Sequence, residues 1–414
     1  MRLLLTGFLL LFVSACAPEV IPEPEVGLPE LSTDGTRQID AFLAGATATG
    51  QVPKAVAIVA NREAVLYEGA FGKQSVADDM PAGMDSIFNL ASMTKPVTSV
   101  AVMMLAEEGA FALDDAVSTY LPDWANREVV TTIDEEAGTF ETEAAGSEIT
   151  IRQLLAHTSG LAYNFSNATA QTLIDLTGEQ QAINLPLVVQ PGTVWNYSGS
   201  TAVLGDLVGE VSGQPLEEFL ESRIFEPLGM EDTSYAVPDA KRDRVVTTHR
   251  LEDGELVETP VPDQVFSAVR GDGGLSGTAG DYIRFLQMLL NDGEFAGNRI
   301  LSAESVAAMT ANQIGSIRVE TQYTTNPALS AHFPIGAGSD TFGLGFQLTS
   351  SNAADTDLRA PGSYSWAGIF NTHFWGDPER GIAAVILMQQ LPFYSDDAMD
   401  VYQGFEQRVN RNLE

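Results

Sequence analysis

The chain has 414 residues, of which 44% are hydrophobic and 19% charged, values typical of a globular protein with a sizeable core. It carries 21 lysines and arginines against 56 aspartates and glutamates, a formal net charge of −35 at pH 7. A field of that sign repels phosphate backbones, which argues against nucleic acid as a partner.

The N-terminal segment has the pattern of an export signal. Arg2 supplies a positive charge ahead of an apolar run at residues 3–13, which is too short to span a bilayer. Small residues then precede Cys16, the single cysteine of the chain, as they do in a bacterial lipobox. We therefore expect residues 1–16 to form a lipoprotein signal peptide and Cys16 to be lipidated. The exported protein would then be anchored to a membrane of the bacterial cell envelope, facing the periplasm or at the outer membrane. An ordinary signal peptide with an incidental cysteine is the alternative.

A tether and the first elements of a folded domain follow. Residues 17–32 are rich in proline and glutamate, which predicts an extended, solvated linker. The folded domain is expected over residues 33–414. It begins with a short helix at residues 33–47, capped by Thr33 or Asp34, and a hairpin of residues 55–60 with 64–72. A long apolar helix follows at residues 93–108 and is stopped by Gly109.

The remaining elements divide into a helical middle and a strand-rich end. Residues 120–265 mix short helices with loops rich in proline and glycine. Residues 279–291 have the periodicity of an amphipathic helix. Apolar, β-branched and aromatic runs then predict strands, and a last helix closes the chain. These final elements cover Phe342–Thr349, Ser363–Trp375, Gly381–Gln389 and residues 396–411.

This order of elements is consistent with an α/β (α+β) fold in which strands from both chain ends share one sheet. The α/β lobe would comprise about residues 33–119 and 266–414, with a helical lobe at about 120–265 inserted between them. A cleft between two such lobes is where a small-molecule substrate would bind.

Ser92 and Lys95 stand three residues apart in the stretch NLASMTKPV, residues 89–97. If Ser92 opens a helix, the two side chains share one face, with Cβ atoms roughly 5–6 Å apart, and Pro96 is tolerated in the first turn. A serine hydroxyl needs a nearby base to become a nucleophile, and a helix N-terminus favours the negative charge that develops on it. The motif alone is weak, because a capped helix beside a lysine gives the same pattern.

Two further segments carry groups that could complete such a site. Tyr197, in the turn-rich stretch WNYSGS, could act as a base assisted by Lys95; a packed tyrosine is the alternative. Trp366-Ala367-Gly368 lies in a predicted strand whose small residues would let a substrate lie along the backbone. N–H groups there could complete an oxyanion hole with that of Ser92, and a strand with small residues for packing is the alternative.

Other candidate nucleophiles and metal ligands have less support. His157 and Ser159 raise the possibility of a Ser–His pair, but no Gly-x-Ser-x-Gly elbow occurs in the chain. We expect a structural role for both. The other histidines are scattered without metal-ligand spacing, so no metal site is predicted.

The combined motifs resemble the serine β-lactamase and penicillin-binding superfamily, in particular its class C-like branch and the related family VIII carboxylesterases. The Ser-x-x-Lys element matches Ser92-Met93-Thr94-Lys95, and the Tyr-x-Asn element matches Tyr197-Ser198-Gly199. Leu154–Leu161 and Gly273–Leu290 also look like family segments. These matches run in order from about residue 35 to 410, so the resemblance covers nearly the whole predicted mature chain.

The resemblance implies a β-lactamase-like fold, an antiparallel sheet flanked by helices with an inserted all-helical lobe. It implies a covalent acyl-enzyme on Ser92, with Lys95 and Tyr197 sharing the general acid and base work. The backbone N–H groups of Ser92 and Ile369 would bind the oxyanion, and Trp366, Ala367 and Gly368 would bind the substrate. No metal ion or organic cofactor is implied.

Two departures from the family pattern bear on the substrate. β-Lactamases and related peptidases carry Lys-Thr-Gly or a close variant at the third element, whereas this chain has Trp366-Ala367-Gly368, similar to the Trp-Gly-Gly of the esterases. Gly199 stands where an amide side chain is usual. Both differences weaken anion recognition and favour carboxylic esters with short-to-medium acyl groups.

Two alternatives to an esterase stay open. The first is a β-lactamase, a D-Ala-D-Ala-type carboxypeptidase or a D-aminopeptidase. The second is a non-catalytic protein that keeps the penicillin-binding scaffold. The joint presence of Ser92, Lys95 and Tyr197 argues against the second alternative.

Overall fold

The computed structural model describes residues 27–77, 79–252, 255–259, 269–350 and 357–414. The predicted signal peptide, Cys16 and the first part of the predicted tether lie outside the described residues. Within those ranges, no helix combines the length and apolarity that a membrane span requires.

The strands range from two to eleven residues in length. They are β1 Lys54–Asn61, β2 Val65–Ser75, β3 Met80–Pro81, β4 Phe88–Asn89, β5 Glu128–Asp134, β6 Thr139–Ala144, β7 His249–Glu252, β8 Glu255–Glu258, β9 Ser276–Gly277, β10 Glu294–Phe295, β11 Asn298–Arg299, β12 Thr341–Phe342, β13 Gln347–Leu348, β14 Tyr364–Gly368, β15 Thr372–Asp377, β16 Ile382–Leu387 and β17 Gln390–Leu391.

The helices flank these strands and fill the middle of the chain. They are α1 Thr33–Ala48, α2 Thr94–Glu107, α3 Ile151–Leu155, α4 Ala168–Thr177, α5 Ser200–Ser212, α6 Leu216–Leu220, α7 Glu226–Leu228, α8 Ala279–Leu290, α9 Ala303–Met309 and α10 Asp396–Arg411. A 3-10 turn at Ala91–Met93 leads into α2, and a π-helical segment at Glu221–Phe225 joins α6 to α7.

An antiparallel sheet drawn from both ends of the chain forms the centre of the molecule. In the part of the chain that the structure describes, its strand order is β12-β13-β14-β15-β16-β1-β2-β3. Each neighbouring pair runs antiparallel. β1 therefore lies between β16 and β2, with Val56 opposite both Leu387 and Ala70. This arrangement confirms the predicted antiparallel sheet flanked by helices.

Helices cover both faces of the sheet. β1 is buried along its whole length because its alternating side chains face two different cores. Val56 belongs to the core that includes α2 and α8, whereas Ala57 belongs to the core formed with α1 and α10. A Cβ at Gly404 of α10 would collide with the ring of Phe42, so α1 and α10 approach closely at this point.

The middle of the chain contains α3 to α7 but is not helical throughout. The hairpins β5–β6 and β7–β8 lie within residues 120–265, where the sequence predicts helices and loops. β5 has the sequence EVVTTID, and its β-branched residues favour a strand. Gly138, with a φ of 68°, lies in the turn between β5 and β6.

Several predicted elements are confirmed with small shifts at their ends. The long apolar helix is α2, the amphipathic helix is α8, and the last helix is α10. The first helix is α1, but its cap is Ser32 rather than Thr33 or Asp34. The Oγ of Ser32 accepts a hydrogen bond from the Gly35 N–H at 3.0 Å, which satisfies one of the unpaired donors of the first turn.

The C-terminal strands differ from the prediction. The sequence predicts one strand over Ser363–Trp375, but the structure has the hairpin β14–β15. Asn371 turns the chain with a φ of 54°, a left-handed conformation that asparagine tolerates. Its side-chain amide donates to the carbonyl oxygens of Gln390 and Pro392, which holds the turn. Phe342–Thr349 likewise divides into β12 and β13.

Candidate active site

Ser92 lies at the entrance to the buried helix α2. The 3-10 turn Ala91–Met93 runs directly into α2, so Ser92 opens the helical segment. Ala91 has a φ of 47°, a left-handed conformation uncommon outside glycine, which bends the chain ahead of Ser92. The Tyr282 hydroxyl donates to the carbonyl oxygen of Met93 at 2.9 Å and fixes the turn from α8.

Lys95 stands at the centre of the site and is almost fully buried. Its Nζ donates to the Ser92 Oγ at 3.3 Å, the Tyr163 hydroxyl at 3.1 Å and the Asp272 carbonyl oxygen at 2.7 Å. Three acceptors match the three N–H bonds of an ammonium group. The same Nζ lies 4.9 Å from the ring centroid of Tyr197, a cation–π distance. The structure therefore fixes a cation beside the Ser92 hydroxyl.

A buried carboxylate balances this cation. The Tyr163 hydroxyl donates to the Asp272 Oδ2 at 2.5 Å. Arg270 holds the same carboxylate through Nε to Oδ1 at 2.8 Å and Nη2 to Oδ2 at 3.0 Å. Burial alone would raise the pKa of Asp272, but Lys95, Arg270 and Tyr163 outweigh it and hold that pKa below its ordinary value. Asp272 is therefore a fixed anion.

Two tyrosines stand beside Lys95, and their surroundings differ. Burial, followed by the charge of Asp272, raises the pKa of Tyr163 well above its ordinary value. Tyr163 therefore keeps its proton and acts as a donor to Asp272, not as a base for Ser92. The ring of Tyr197 lies edge-on to that of Tyr163, with centroids 5.1 Å apart, and Tyr197 lines the cavity at Ser92.

The C-terminal end of β14 lies beside the Ser92 turn. A Cβ at Gly368 would collide with the carbonyl oxygen of Leu90, so glycine permits this approach. β13 pairs with only the first two residues of β14. Within the described residues, Trp366–Gly368 thus has β15 on one side and no strand on the other. Ile369, the predicted second oxyanion donor, follows directly and lines the cavity.

An aromatic cavity of about 170 Å³ opens at Ser92. None of its wall side chains is a charged type, and six of them are aromatic. The walls are Ser92, Tyr163, Phe165, Tyr197, Phe333, Trp366, Ala367, Ile369 and Phe393. Among the residues that the structure describes, no group of three or more histidine, cysteine, aspartate or glutamate residues could hold a metal ion.

The position of Gly199 explains what replaces the missing amide side chain. A Cβ there would lie 3.5 Å from the Asp272 Oδ2 and 3.6 Å from the Tyr163 Cε1, both ordinary van der Waals contacts. Tyr163 and Asp272 therefore occupy the space beside this position. They supply Lys95 with the polar partners that residue 199 does not provide.

His157 and Ser159 lie behind the cavity and do not line it. The His157 Nδ1 is 3.3 Å from the Ser198 Oγ, and the Ser159 Oγ is 2.8 Å from the Ser200 Oγ. Burial, with the charge of Lys95, lowers the pKa of His157 to about 3, so the ring is neutral. These contacts place both residues in the packing behind Tyr197.

The structure thus brings together Ser92, Lys95, Tyr197 and the Trp366–Ile369 segment, as the sequence predicts, and adds Tyr163 and Asp272. Both added residues adjoin stretches that resemble family segments. Tyr163 follows Leu154–Leu161 by two residues, and Asp272 directly precedes Gly273–Leu290. That adjacency is the signal by which the sequence could have indicated them.

Comparison with known sequences gives a consistent result. A sequence model of the family described as Beta-lactamase matches residues 39–408. Protein Rv1367c of Mycobacterium tuberculosis is 34% identical over 372 residues, which cover 86% of this chain and 90% of that protein. Esterase EstB of Burkholderia gladioli is 28% identical over 387 residues, which cover 84% of this chain and 89% of that esterase.

A solved structure extends the likeness to the fold. A mutant of simvastatin synthase from Aspergillus terreus superposes with a TM-score of 0.77 at 25% sequence identity. The superposition covers 92% of this chain and 95% of the synthase. The likeness therefore includes both the central sheet and the middle of the chain.

Proposed function

The chain belongs to the Beta-lactamase family, and on that premise we propose that it is a serine hydrolase of carboxylic esters with short-to-medium acyl groups. Membership of this family supports serine-based acyl chemistry in general. The ester substrate and the covalent acyl-enzyme are the proposal. The observation that carries it is the 3.3 Å contact from the Lys95 Nζ to the Ser92 Oγ, where Ser92 lines a cavity with aromatic and no charged wall side chains.

The proposed reaction uses the groups around that contact. Tyr197 acts in its phenolate form, whose negative charge Lys95 stabilises; the Ser92 Oγ attacks the ester carbonyl carbon while the serine proton passes to the phenolate oxygen and neutralises it. The N–H groups of Ser92 and Ile369 bind the oxyanion. The bond to the alcohol oxygen breaks, and the alcohol leaves with the proton. Water then attacks the acyl-enzyme by the same route, releasing the acid and restoring Ser92.

The cavity favours esters over β-lactams. A β-lactam brings a carboxylate that needs a cationic partner, and the cavity walls include no lysine or arginine. Lys95 is engaged with three acceptors, and Arg270 is paired with Asp272. A neutral ester, in contrast, buries apolar surface against six aromatic side chains.

The names of the relatives agree with this choice. One relative is called an esterase, and the superposed structure is called a simvastatin synthase. The name esterase describes the hydrolysis of an ester, and it supports the proposal that the acyl-enzyme of this chain accepts water.

The test is hydrolysis of p-nitrophenyl acetate, butyrate and octanoate by residues 27–414, with nitrocefin in parallel. We expect ester turnover, weak or absent nitrocefin turnover, and a loss of at least about 10³-fold in kcat for Ser92→Ala. Ser222→Ala, an exposed serine of the π-helical segment, is the matched control and should keep full activity.

Other outcomes would redirect the proposal. Nitrocefin turnover faster than ester turnover would favour the β-lactamase or peptidase alternative. If the folded protein neither turns over esters nor reacts with a serine-directed phosphonate, the non-catalytic alternative replaces the esterase. Wild-type turnover by Ser92→Ala would remove Ser92 from the mechanism.

We also propose that the protein is an exported lipoprotein anchored through Cys16, on the sequence pattern of residues 1–16. Expression of the full chain in a bacterial host with a radiolabelled fatty acid tests this. We expect the label in the membrane fraction for the wild type and not for Cys16→Ala. Equal secretion of both forms without label would support an ordinary signal peptide instead.

A further inference from the structure

A second cavity of about 260 Å³ adjoins the one at Ser92. It lies between β14, the loop after Phe333 and helix α10. The two cavities share four wall residues, namely Phe333, Trp366, Ala367 and Phe393. Cavities that bind small molecules typically measure about 300–1,000 Å³, so the space at Ser92 alone is below that range. Together the two cavities reach it.

The unpaired end of β14 offers a route between the cavities. Ser365, Trp366 and Ala367 line the second cavity, and Ala367 also lines the first. The small side chain of Ala367 leaves room along this strand. In the proposed reaction the alcohol oxygen must stay near Tyr197, its proton donor. The acyl group is therefore the portion that is free to follow β14.

Most polar groups that line the second cavity already have partners. Arg359 donates to both oxygens of Glu406, at 2.7 and 2.9 Å. Asp340 accepts from the Gln347 side chain at 2.6 Å and from the Ser350 N–H at 3.0 Å. These contacts leave no free cation on those residues for a carboxylate ligand.

Among the described residues, two wall side chains are exceptions, because Ser350 and His373 each have a buried polar atom without a hydrogen-bond partner. His373 is 1% exposed and stacks on Tyr402 with ring centroids 4.3 Å apart. Its Nε2 is buried and, among the described residues, has no hydrogen-bond partner. Burial, with the charge of Arg359, lowers the pKa of His373 to about 3, so the imidazole is neutral. A neutral imidazole nitrogen donates or accepts one hydrogen bond according to its tautomer.

We propose that the acyl group of the substrate passes Ala367 into the second cavity, and that a neutral polar group on its distal part, a hydroxyl or a keto oxygen, hydrogen-bonds to His373. This proposal rests on the ester hydrolysis proposed above and names its substrate class. The preferred acids are medium-length chains, apolar near the ester and carrying one uncharged polar group farther out. A distal carboxylate is disfavoured because Asp340 and Glu406 line the same space and His373 carries no charge.

The first experiment tests the route with p-nitrophenyl butyrate and octanoate. Ala367→Phe narrows the passage, and Ile335→Trp fills the second cavity from a residue that is 42% exposed and does not line the first. In both variants, kcat/KM for the octanoate ester should fall at least about tenfold. In Ile335→Trp, kcat/KM for the butyrate ester should change less than about twofold. Tyr323→Trp, which is 66% exposed and lines neither cavity, is the matched control.

The second experiment tests His373 with a series of octanoate esters. Each ester carries a single hydroxyl group, placed on one of the carbons from C4 to C8. We expect at least one of them to exceed plain octanoate in kcat/KM by about fivefold, a typical gain from one added hydrogen bond. His373→Phe keeps the aromatic ring against Tyr402 but removes the nitrogen. It should abolish this preference, so that the hydroxylated and plain octanoate esters have equal kcat/KM values in this variant.

The outcomes separate this proposal from the function on which it rests. No turnover of butyrate by the wild type would reject the ester hydrolase itself. Butyrate turnover with equal octanoate rates in the wild type and Ile335→Trp would overturn the acyl route. If no hydroxylated ester is favoured, or if His373→Phe keeps the preference, the role of His373 is wrong.

Discussion

Tyr163 and Tyr197 both lie beside Lys95 but have different roles in the site. Tyr163 is held by Asp272 and keeps its proton, so its contribution is to fix the position of Lys95. Tyr197 contacts the same lysine through its ring and faces the cavity where a substrate would lie. The residue that makes the shorter, better-defined contact with the lysine is therefore not the one suited to take a proton from Ser92.

Phenylalanine substitutions should separate these roles. Tyr163→Phe removes a hydrogen bond to a charged group and should lower kcat for p-nitrophenyl butyrate by about 10- to 100-fold with KM nearly unchanged. Tyr197→Phe removes the proposed general base and should lower kcat by about 10²- to 10⁴-fold. Tyr120→Phe, whose hydroxyl bonds to Asp115 and which does not line the cavity, is the control. A larger loss for Tyr163→Phe than for Tyr197→Phe would reverse the assignment.

At this scale the sequence predicts only part of the site. Ser92 and Lys95 are three residues apart, and helical geometry alone brings them together. Tyr163 and Asp272 reach Lys95 from 68 and 177 residues away along the chain, and no local rule connects positions so distant. Tyr197 and Trp366 are predicted because a family resemblance carries information on long-range contacts.

At the scale of elements, a buried lysine joins the central sheet to the small sheet that contains β7. Lys54 begins β1, is fully buried, and donates to the Thr247 carbonyl oxygen at 2.7 Å. Its Nζ is also 3.2 Å from the His249 Nδ1. Burial lowers the pKa of Lys54 to about 7, although the charge of Glu258 opposes the change. This junction is consequently sensitive to pH.

The direction of that sensitivity follows from proton binding. Between about pH 7 and 10.5 the unfolded chain binds a proton at Lys54 that the folded protein does not, so stability falls as pH falls through this range. Lys54→Met should reduce the slope of the free energy of unfolding against pH by up to about 1.4 kcal/mol per pH unit. Urea unfolding of the wild type and the variant at pH 7, 8, 9 and 9.5 measures this slope.

The control for this prediction is Lys73→Met. Lys73 lies on β2 with its side chain 48% exposed, paired with Asp79. Lys73→Met removes one lysine charge without removing a buried amino group, so the slope should stay that of the wild type. Equal slopes for the wild type and Lys54→Met would show that burial does not perturb Lys54.

Elements are predicted correctly where the hydrophobic periodicity extends over several helical turns. They are predicted wrongly where one turn divides an apolar run into two strands. α8 and α10 have strong periodicity over several turns, and both are found as predicted. The hairpin β14–β15 is missed because its turn carries no Asn-Gly, Asp-Gly or proline signal, and the Asn371 side chain that holds the turn bonds to a segment that the sequence does not place nearby. β5–β6 is missed although the β-branched residues of β5 favour a strand.

At the scale of the whole molecule, the net charge of −35 acts on stability. Like charges on a compact surface repel, and salt screens that repulsion, with a Debye length of about 30 Å at 0.01 M and about 3 Å at 1 M. We expect Tm at pH 8 to rise by a few degrees when NaCl increases from 0.01 to 1 M. KCl should act equally, because screening does not depend on which monovalent cation is present. A constant or falling Tm would show that the charges are arranged without net repulsion.

The place of β1 between β2 and β16 has a consequence for biosynthesis. A ribosome delivers β1 and β2 first, but β16, which pairs with the other edge of β1, emerges only after the whole middle of the chain. Until then, one edge of β1 lacks its partner strand, and the sheet that holds β14 beside Ser92 is not assembled. The nascent chain thus carries its nucleophile for most of translation without the strand proposed to bind the substrate, and hydrolytic activity should appear only after β16 has left the exit tunnel.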